Sequence, residues 1–502
     1  MAARAPQRLL ITFAAGAATV VAIALVVNPE KKLAELAGSL AAAVVYWCLP
    51  GRFRVPALLS TAILGGVDAL PGPNLTTLAL GHGLVMQQAV VILTVVVALW
   101  LTRTELNATI SPTFGFALLL AAGLGTLMWL VTLARTAPIL GIVVSHAVSF
   151  ALDLLIFPLL ALVLVSVMRH RERRDLTLLF IGCWSTFLAG LYSIAATAHL
   201  ALTSLLHPET TKSIGGVTRI YSPEVDLFSA VACVALAGAL THPRPRARQL
   251  CAVIAAVNLA AVLLSFTRAE YLSVGAALVV GSCLWLRGSA GLQAIRRLLT
   301  AAAALAVLLT LVITVFPHGS AARSLSSTLD RATSIGSTAT SDQQTSTVAV
   351  RRSELALLEQ RLGGSYVLGL GFLDPRDEFY PSLPFGTIRN TDVGLFNVVM
   401  TEGVVGTVIY YLPLLLALGG LVYRSRVTSE PDGWLDYGLF IALGAILGSS
   451  ITLVTMFSST GIVVVAVLVA LAVARVLDAP HLHQPARRIT TPRVSLHSSV
   501  RA

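Results

Sequence analysis

Apolar stretches about twenty residues long recur along almost the whole chain. They lie at 9–27, 33–49, 55–70, 84–101, 113–134, 142–167, 176–202, 225–241, 250–266, 269–286, 298–316, 395–423, 435–453 and 459–475, fourteen in all. A helix rises about 1.5 Å per residue, so about 20 apolar residues cross the ~30 Å hydrocarbon core of a bilayer. In lipid every backbone N–H and C=O needs an internal partner, and a helix supplies them within one segment. The pattern therefore predicts an all-α polytopic membrane protein with about 12–14 transmembrane helices. Composition agrees: only 12% of the residues are charged, against about 25% in soluble domains. Soluble enzymes, disordered scaffolds and secreted disulfide frameworks are excluded.

Basic residues test the count. With the N-terminus inside, 22 of the 35 Lys and Arg fall in alternate, cytoplasmic segments, and seven of the rest sit in one long loop. Such an excess of cytoplasmic Lys and Arg is the usual orientation signal. It places both termini on the cytoplasmic side of a cytoplasmic (inner) membrane. It also accounts for the net charge of +11 without nucleic acid, for which no aromatic-basic module is present. Cys48, Cys183, Cys233, Cys251 and Cys283 lie in apolar runs without metal-ligand spacing, so no structural metal is expected.

The organisation follows. Residues 1–316 hold helices one to eleven, 317–392 form a large extracytoplasmic loop, 393–476 hold the last three helices, and 477–502 are a basic, disordered cytoplasmic tail. A shorter outside loop covers 203–224. The large loop begins with a Ser/Thr/Ala-rich stretch to Thr347. Val348–Leu362 then reads as an amphipathic helix with Leu355, Leu358 and Leu362 on one face. Gly363-Gly364 ends it.

Three polar segments stand out against this background. Thr267-Arg268 sits between two spans with almost no loop, near the outer face, with Glu270 two residues on. An ionisable group held close to hydrocarbon is costly and usually has a task; pairing of Arg268 with Glu270 is the structural alternative. Arg351 and Arg352 lie on the loop helix, followed by Gly369-Leu370-Gly371. Paired glycines let a backbone turn sharply or approach a ligand closely. The third segment runs Arg389-Asn390-Thr391-Asp392 into the next span, then Thr401-Glu402-Gly403-Val404-Val405-Gly406. Alone, Asp392 reads equally well as a helix N-cap.

Taken together, these segments resemble the O-antigen ligase and O-antigen polymerase superfamily of bacterial polysaccharide assembly. That family has a Ser/Thr-Arg pair at an outer helix junction, a large outside loop, an Arg about 17 residues before G-x-G, and a polar motif leading into a Glu- and Gly-containing helix. Here Thr267-Arg268, Arg352 before Gly369, and Gly403-Val404-Val405-Gly406 fill those places. The likeness covers about 265–410. Ligases carry His-Asn where this chain has Asp392-Val393, which favours a polymerase or an actinobacterial-type glycan transferase.

The resemblance implies a membrane glycosyltransferase with its active site facing outside. It would move a polyprenyl-diphosphate-linked saccharide onto a glycan or lipid hydroxyl. Arginine forks suit diphosphate oxygens and stay charged, so Arg268, Arg351, Arg352 and Arg389 are the diphosphate-binding candidates. Arg268, Arg352 and Asp392 are the catalytic ones, with Asp392 accepting the hydroxyl proton. Gly369 and Gly371 shape the loop backbone, and Glu402 and Asn390 are further candidates. No cofactor or metal is required: Asn28–Lys32 lacks paired acids, and Asp374–Glu378 reads as a solvated loop.

A lipid-linked oligosaccharide flippase, or another secondary transporter, is the alternative. It would use the seven-residue spacing of His146 and Asp153 as a proton relay. The large loop and the lack of an internal repeat weigh against it. Asp68, His199 and Asn258 are further polar residues inside spans.

Overall fold

The computed structural model describes residues 49–64, 79–81, 84–110, 112–136, 147–198, 211–214, 217–220, 225–265, 267–285, 394–427, 433–451 and 459–478. It also describes short pieces at 296–297, 300, 355–356, 359–360, 362–372, 453 and 456.

These residues form a helical bundle. Its elements are α1 (Gly51–Leu64), α2 (Met86–Thr102), the short α3 (Leu106–Ile110), α4 (Thr113–Arg135), α5 (Ala147–Met168) and α6 (Arg171–Ala198). After these come α7 (Val225–Thr241), α8 (Pro245–Leu264), α9 (Arg268–Trp285), α10 (Gly394–Val427), α11 (Gly433–Ser450) and α12 (Ser459–Leu477). Eleven of the fourteen expected spans thus coincide with helices. The runs at 9–27, 33–49 and 298–316 lie outside the described residues, apart from positions 49 and 300.

Two small antiparallel hairpins depart from the all-helical expectation. Strand β1 (Ala79–Gly81) pairs with β2 (Leu84–Val85), and β3 (Thr211–Ile214) with β4 (Val217–Ile220). Both fall where spans are linked. The first shortens the run at 84–101, so that its helix begins at Met86. The second gives a strand pair to the loop at 203–224.

Five of the helices are long and apolar enough to cross a membrane: α4, α6, α8, α10 and α11. Five shorter apolar helices accompany them. The burial pattern is that of a protein dissolved in lipid. Gly461–Leu477 of α12 is buried on every side, its Val, Ala and Leu packed against α5, α10 and α11. A helix apolar all round belongs in a core. The rim helices instead turn large apolar side chains outward. Phe116, Leu120, Leu127 and Leu130 of α4 are all at least half exposed, and so are Leu179, Phe187 and Ile194 of α6. Water would not tolerate apolar faces of that extent, whereas hydrocarbon does. The chain is a multi-pass, helical membrane protein.

Charged groups concentrate at one end of this bundle. There Arg52 donates to Glu172 at 2.7 Å, Arg169 to the Ala108 carbonyl at 2.9 Å and Arg297 to the Leu240 carbonyl at 2.8 Å. His170 meets Glu105 at the same end. The last three helices are tied together here. Asp436 of α11 accepts from Arg424 Nε of α10 at 2.8 Å and Arg475 Nε of α12 at 2.7 Å. Arg424 Nη1 also donates to the Arg475 carbonyl at 2.5 Å. All three side chains are buried. These arginines come from the segments that the charge alternation assigns to one side.

Candidate functional site

The site is built on a break in the longest helix. Gly403 of α10 has φ 71° and ψ −173°, which no helical residue adopts. A break costs hydrogen bonds: N–H groups after it and carbonyls before it lose their partners. In hydrocarbon those orphans would be expensive.

A segment of the large loop supplies the missing partners. The Val404 and Val405 N–H groups donate to the Tyr366 and Val367 carbonyls, at 2.8 and 3.2 Å. In return the Leu370 and Gly371 N–H groups donate to the Met400 and Thr401 carbonyls, at 2.6 and 3.0 Å. The loop is therefore threaded into the helix backbone as a four-bond plug.

Glycine is required on both sides of this contact. Gly369 has φ 70°, and a Cβ on it would lie 2.5 Å from both the Gly403 nitrogen and the Thr401 carbonyl oxygen. A Cβ on Gly403 would strike the Val367 carbonyl. Gly371 has φ 93° and faces Thr136 at the end of α4. Thr136 Oγ1 accepts the Phe372 N–H at 2.9 Å, and the Phe372 ring packs against Trp129 with centroids 6.0 Å apart. The close approach foreseen for Gly369 and Gly371 is thus an approach to the protein's own backbone.

Upstream, positions 355–356, 359–360 and 362 are helical, within the expected amphipathic segment. Leu362 is buried while Leu355 is exposed. Gly363 and Gly364 take φ 49° and 112°, so the paired glycines end this helix in the left-handed way that favours them.

The break also positions acid groups. Glu402 precedes Gly403 and is buried. Its side chain lies over Gly406, with Oε2 2.9 Å from the place a Cβ there would occupy. One turn on, Tyr410 donates to the Met456 carbonyl at 2.6 Å and packs on Phe157 of α5. Glu402 and the buried Asp153 of α5 both act electrostatically on the Tyr410 phenol. Carboxyl groups from two helices thus lie in the neighbourhood of one tyrosine.

The end of α11 gathers the remaining segments. Gly394, the first residue of α10, abuts the carbonyls of Ser450 and Leu453. Ser273 of α9 lies against Gly448, its Oγ 2.8 Å from a Cβ built there. Glu270, on the first turn of α9, is buried and accepts from Ser229 Oγ at 2.6 Å, with Asp226 and Ser449 beside it. Thus α9 begins at Arg268, and α10 two residues beyond Asp392, at one end of one helix.

Arg268 opens α9, and its side chain lies outside the described residues, as do Arg351, Arg352, Arg389, Asn390 and Asp392. Among the expected residues Gly369, Gly371 and Glu402 are described, and they meet at the Gly403 break. His146, Asp68 and His199 lie outside the described residues. Asn258 is a packing residue: its side chain bonds Ser185, Thr186 and the Ile254 carbonyl between α6 and α8. Asp226 and Ser229 escaped the sequence reading, because a polar residue on the first turn of an apolar run looks like a solvated helix end. Among the described residues no three His, Cys, Asp or Glu come together as a metal site would need. No family model matches the chain, and no curated protein is recognisably similar to it.

Proposed function

We propose that the chain is a membrane glycosyltransferase of the O-antigen ligase or polymerase type, acting on a polyprenyl-diphosphate-linked saccharide. The observation that carries this reading is the plug. It ties the loop that follows Arg351 and Arg352 to α10 beside Glu402, and α10 itself begins at the end of the bundle where α9 starts with Arg268. The starts of α9 and α10 share one depth, opposite the arginine-rich end. By the charge bias that depth is the extracytoplasmic face.

The chemistry suits such a place. The donor carries its own leaving group, a diphosphate, so cations that stabilise departing charge are the main requirement. Arg268, Arg351, Arg352 and Arg389 supply them as bidentate forks. The acceptor hydroxyl loses its proton to Asp392 as its oxygen attacks the anomeric carbon, and the glycosyl–phosphate bond breaks. No metal enters this scheme.

Transfer in detergent tests it. Purified protein given a polyprenyl-diphosphate glycan and an acceptor should yield the joined glycan with no vesicle or gradient present. A chain that moves such lipids across vesicles but forms no product in detergent is a transporter. Cysteine labelling supplies the sidedness: positions 171 and 246 should react from the cytoplasm, and 210 and 340 from outside.

A further inference from the structure

We infer that the arginine-rich end of the bundle holds an anionic phospholipid, with its phosphate on Arg173 and Arg174 and a hydrocarbon chain in the cavity directly above them. This site is separate from the Gly403 break and does not depend on the transferase reading.

The first observation is electrostatic. Arg174 of α6 is 6% exposed, and its Nη1 donates to Asp478 Oδ2 at 2.8 Å. Its Nε is buried and makes no hydrogen bond, and the same holds for Nη1 of the neighbouring Arg173. Buried guanidinium N–H groups normally find acceptors, because an unmet one keeps the whole desolvation penalty. The surroundings do not lack positive charge. Asp478 lies three residues beyond Arg475, at the same end of the bundle as the Arg424–Asp436–Arg475 cluster. Two buried donors on neighbouring arginines thus lack an acceptor, and an anion would supply it.

The second observation is apolar. A cavity of about 170 Å³ opens between α1, α6, α7, α8, α11 and α12. Leu178, Ile181 and Gly182 line it from α6, Leu468 and Leu471 from α12, and Trp434 from the start of α11. Apolar cavities of about this size stay dry and take up hydrocarbon.

Helical periodicity joins the two. Leu178, Ile181 and Gly182 lie four, seven and eight residues after Arg174, on the same face of α6. Leu471 and Leu468 lie four and seven residues before Arg475, again on one face of α12. Two stripes therefore run from charge to the wall of the one cavity, each about 10 Å along its helix axis. A headgroup phosphate and a chain would occupy such a slot together. Basic pockets between membrane helices bind lipid phosphates in this manner.

The test measures thermal unfolding of the full chain in a neutral detergent. The additions are phosphatidylglycerol, phosphatidylcholine of the same chains, or inorganic phosphate. Two variants separate the parts. Arg173→Gln removes an unmatched donor. Gly182→Leu fills the cavity, since nothing lies within 4 Å of a Cβ at Gly182.

Phosphatidylglycerol should raise the wild-type midpoint by about 2 °C or more, and phosphatidylcholine should not. Its apparent Kd should weaken about fivefold or more in Arg173→Gln, and Gly182→Leu should weaken it while unfolding normally without lipid. Equal stabilisation by inorganic phosphate, untouched by Gly182→Leu, would make this a free-anion site and overturn the lipid. Equal stabilisation by both lipids, or by neither, would overturn the phosphate contact as well.

Discussion

Gly369 and Gly403 meet backbone to backbone, so closely that a Cβ on Gly369 would lie 2.5 Å from the Gly403 nitrogen. One belongs to a loop and the other to the middle of a helix. Alanine at either position must open the plug, and positive φ adds about 1–3 kcal/mol of strain. We predict that Gly369→Ala and Gly403→Ala each destabilise the protein by at least about 2 kcal/mol, read as a lower midpoint in detergent. Gly364→Ala is the control. It shares the positive φ but has nothing within 4 Å, so it should cost less.

The plug also predicts a protection pattern. The amides of Leu370, Gly371, Val404 and Val405 bond across it. Hydrogen exchange at all four should slow together in wild type and quicken together in Gly369→Ala. Faster exchange at only one pair would mean that loop and helix open separately.

Asp436 holds two arginines from different helices. Removing one partner of a buried ion pair typically costs about 3–5 kcal/mol. Asp436→Ala should therefore lower folded yield and unfolding midpoint sharply. An exposed pair gives the comparison: Arg171–Asp175 is mostly solvated at 3.8 Å, and Asp175→Ala should change little.

For the proposed transfer reaction, Arg268→Ala and Arg352→Ala should each abolish product while leaving the chain folded and membrane-inserted. Lysine should rescue only in part, because a point charge cannot reproduce a fork. Wild-type turnover in either alanine variant would remove that residue from the site.

Asp392→Asn should cost about 10²–10⁴-fold in turnover if its carboxylate takes the acceptor proton. A loss under about tenfold transfers the role to Glu402, whose buried carboxyl sits at the break. Glu402→Gln then becomes the inactive variant. Asp392→His should retain transfer if the position needs only a proton acceptor.

Most of the helices were legible in the sequence because a membrane imposes a length on every span. Val225–Thr241 coincides with its apolar run at both ends. The largest shifts occur where charge meets helix. The helices expected at 176 and 250 start five residues early, at Arg171 and Pro245, and the one expected at 55 starts four early, at Gly51. Arginine bodies can lie along apolar surface while their heads find partners: Arg54 reaches the Leu49 carbonyl at 2.7 Å, and Arg52 reaches Glu172.

The described part of the site was legible as a set of glycines and one carboxyl group, Glu402. The spacing of the glycines announced a close backbone approach but not its target. The run 395–423 looks like one unbroken span, since its break at Gly403 depends on a segment more than thirty residues upstream. Hydropathy contains no term for that dependence.

The Arg424–Asp436–Arg475 contact bears on how the protein is made. When α10 enters the membrane, Arg424 meets Asp436 only once α11 follows. When α11 enters, Asp436 meets one arginine but not the second. The Arg475 carbonyl that takes the remaining Arg424 bond arrives only with α12. The three helices should therefore leave the translocon as a hairpin-plus-one package, held together until the third is delivered. A chain stalled between α11 and α12 would keep Arg424 short of that acceptor, a recognisable mark for membrane quality control.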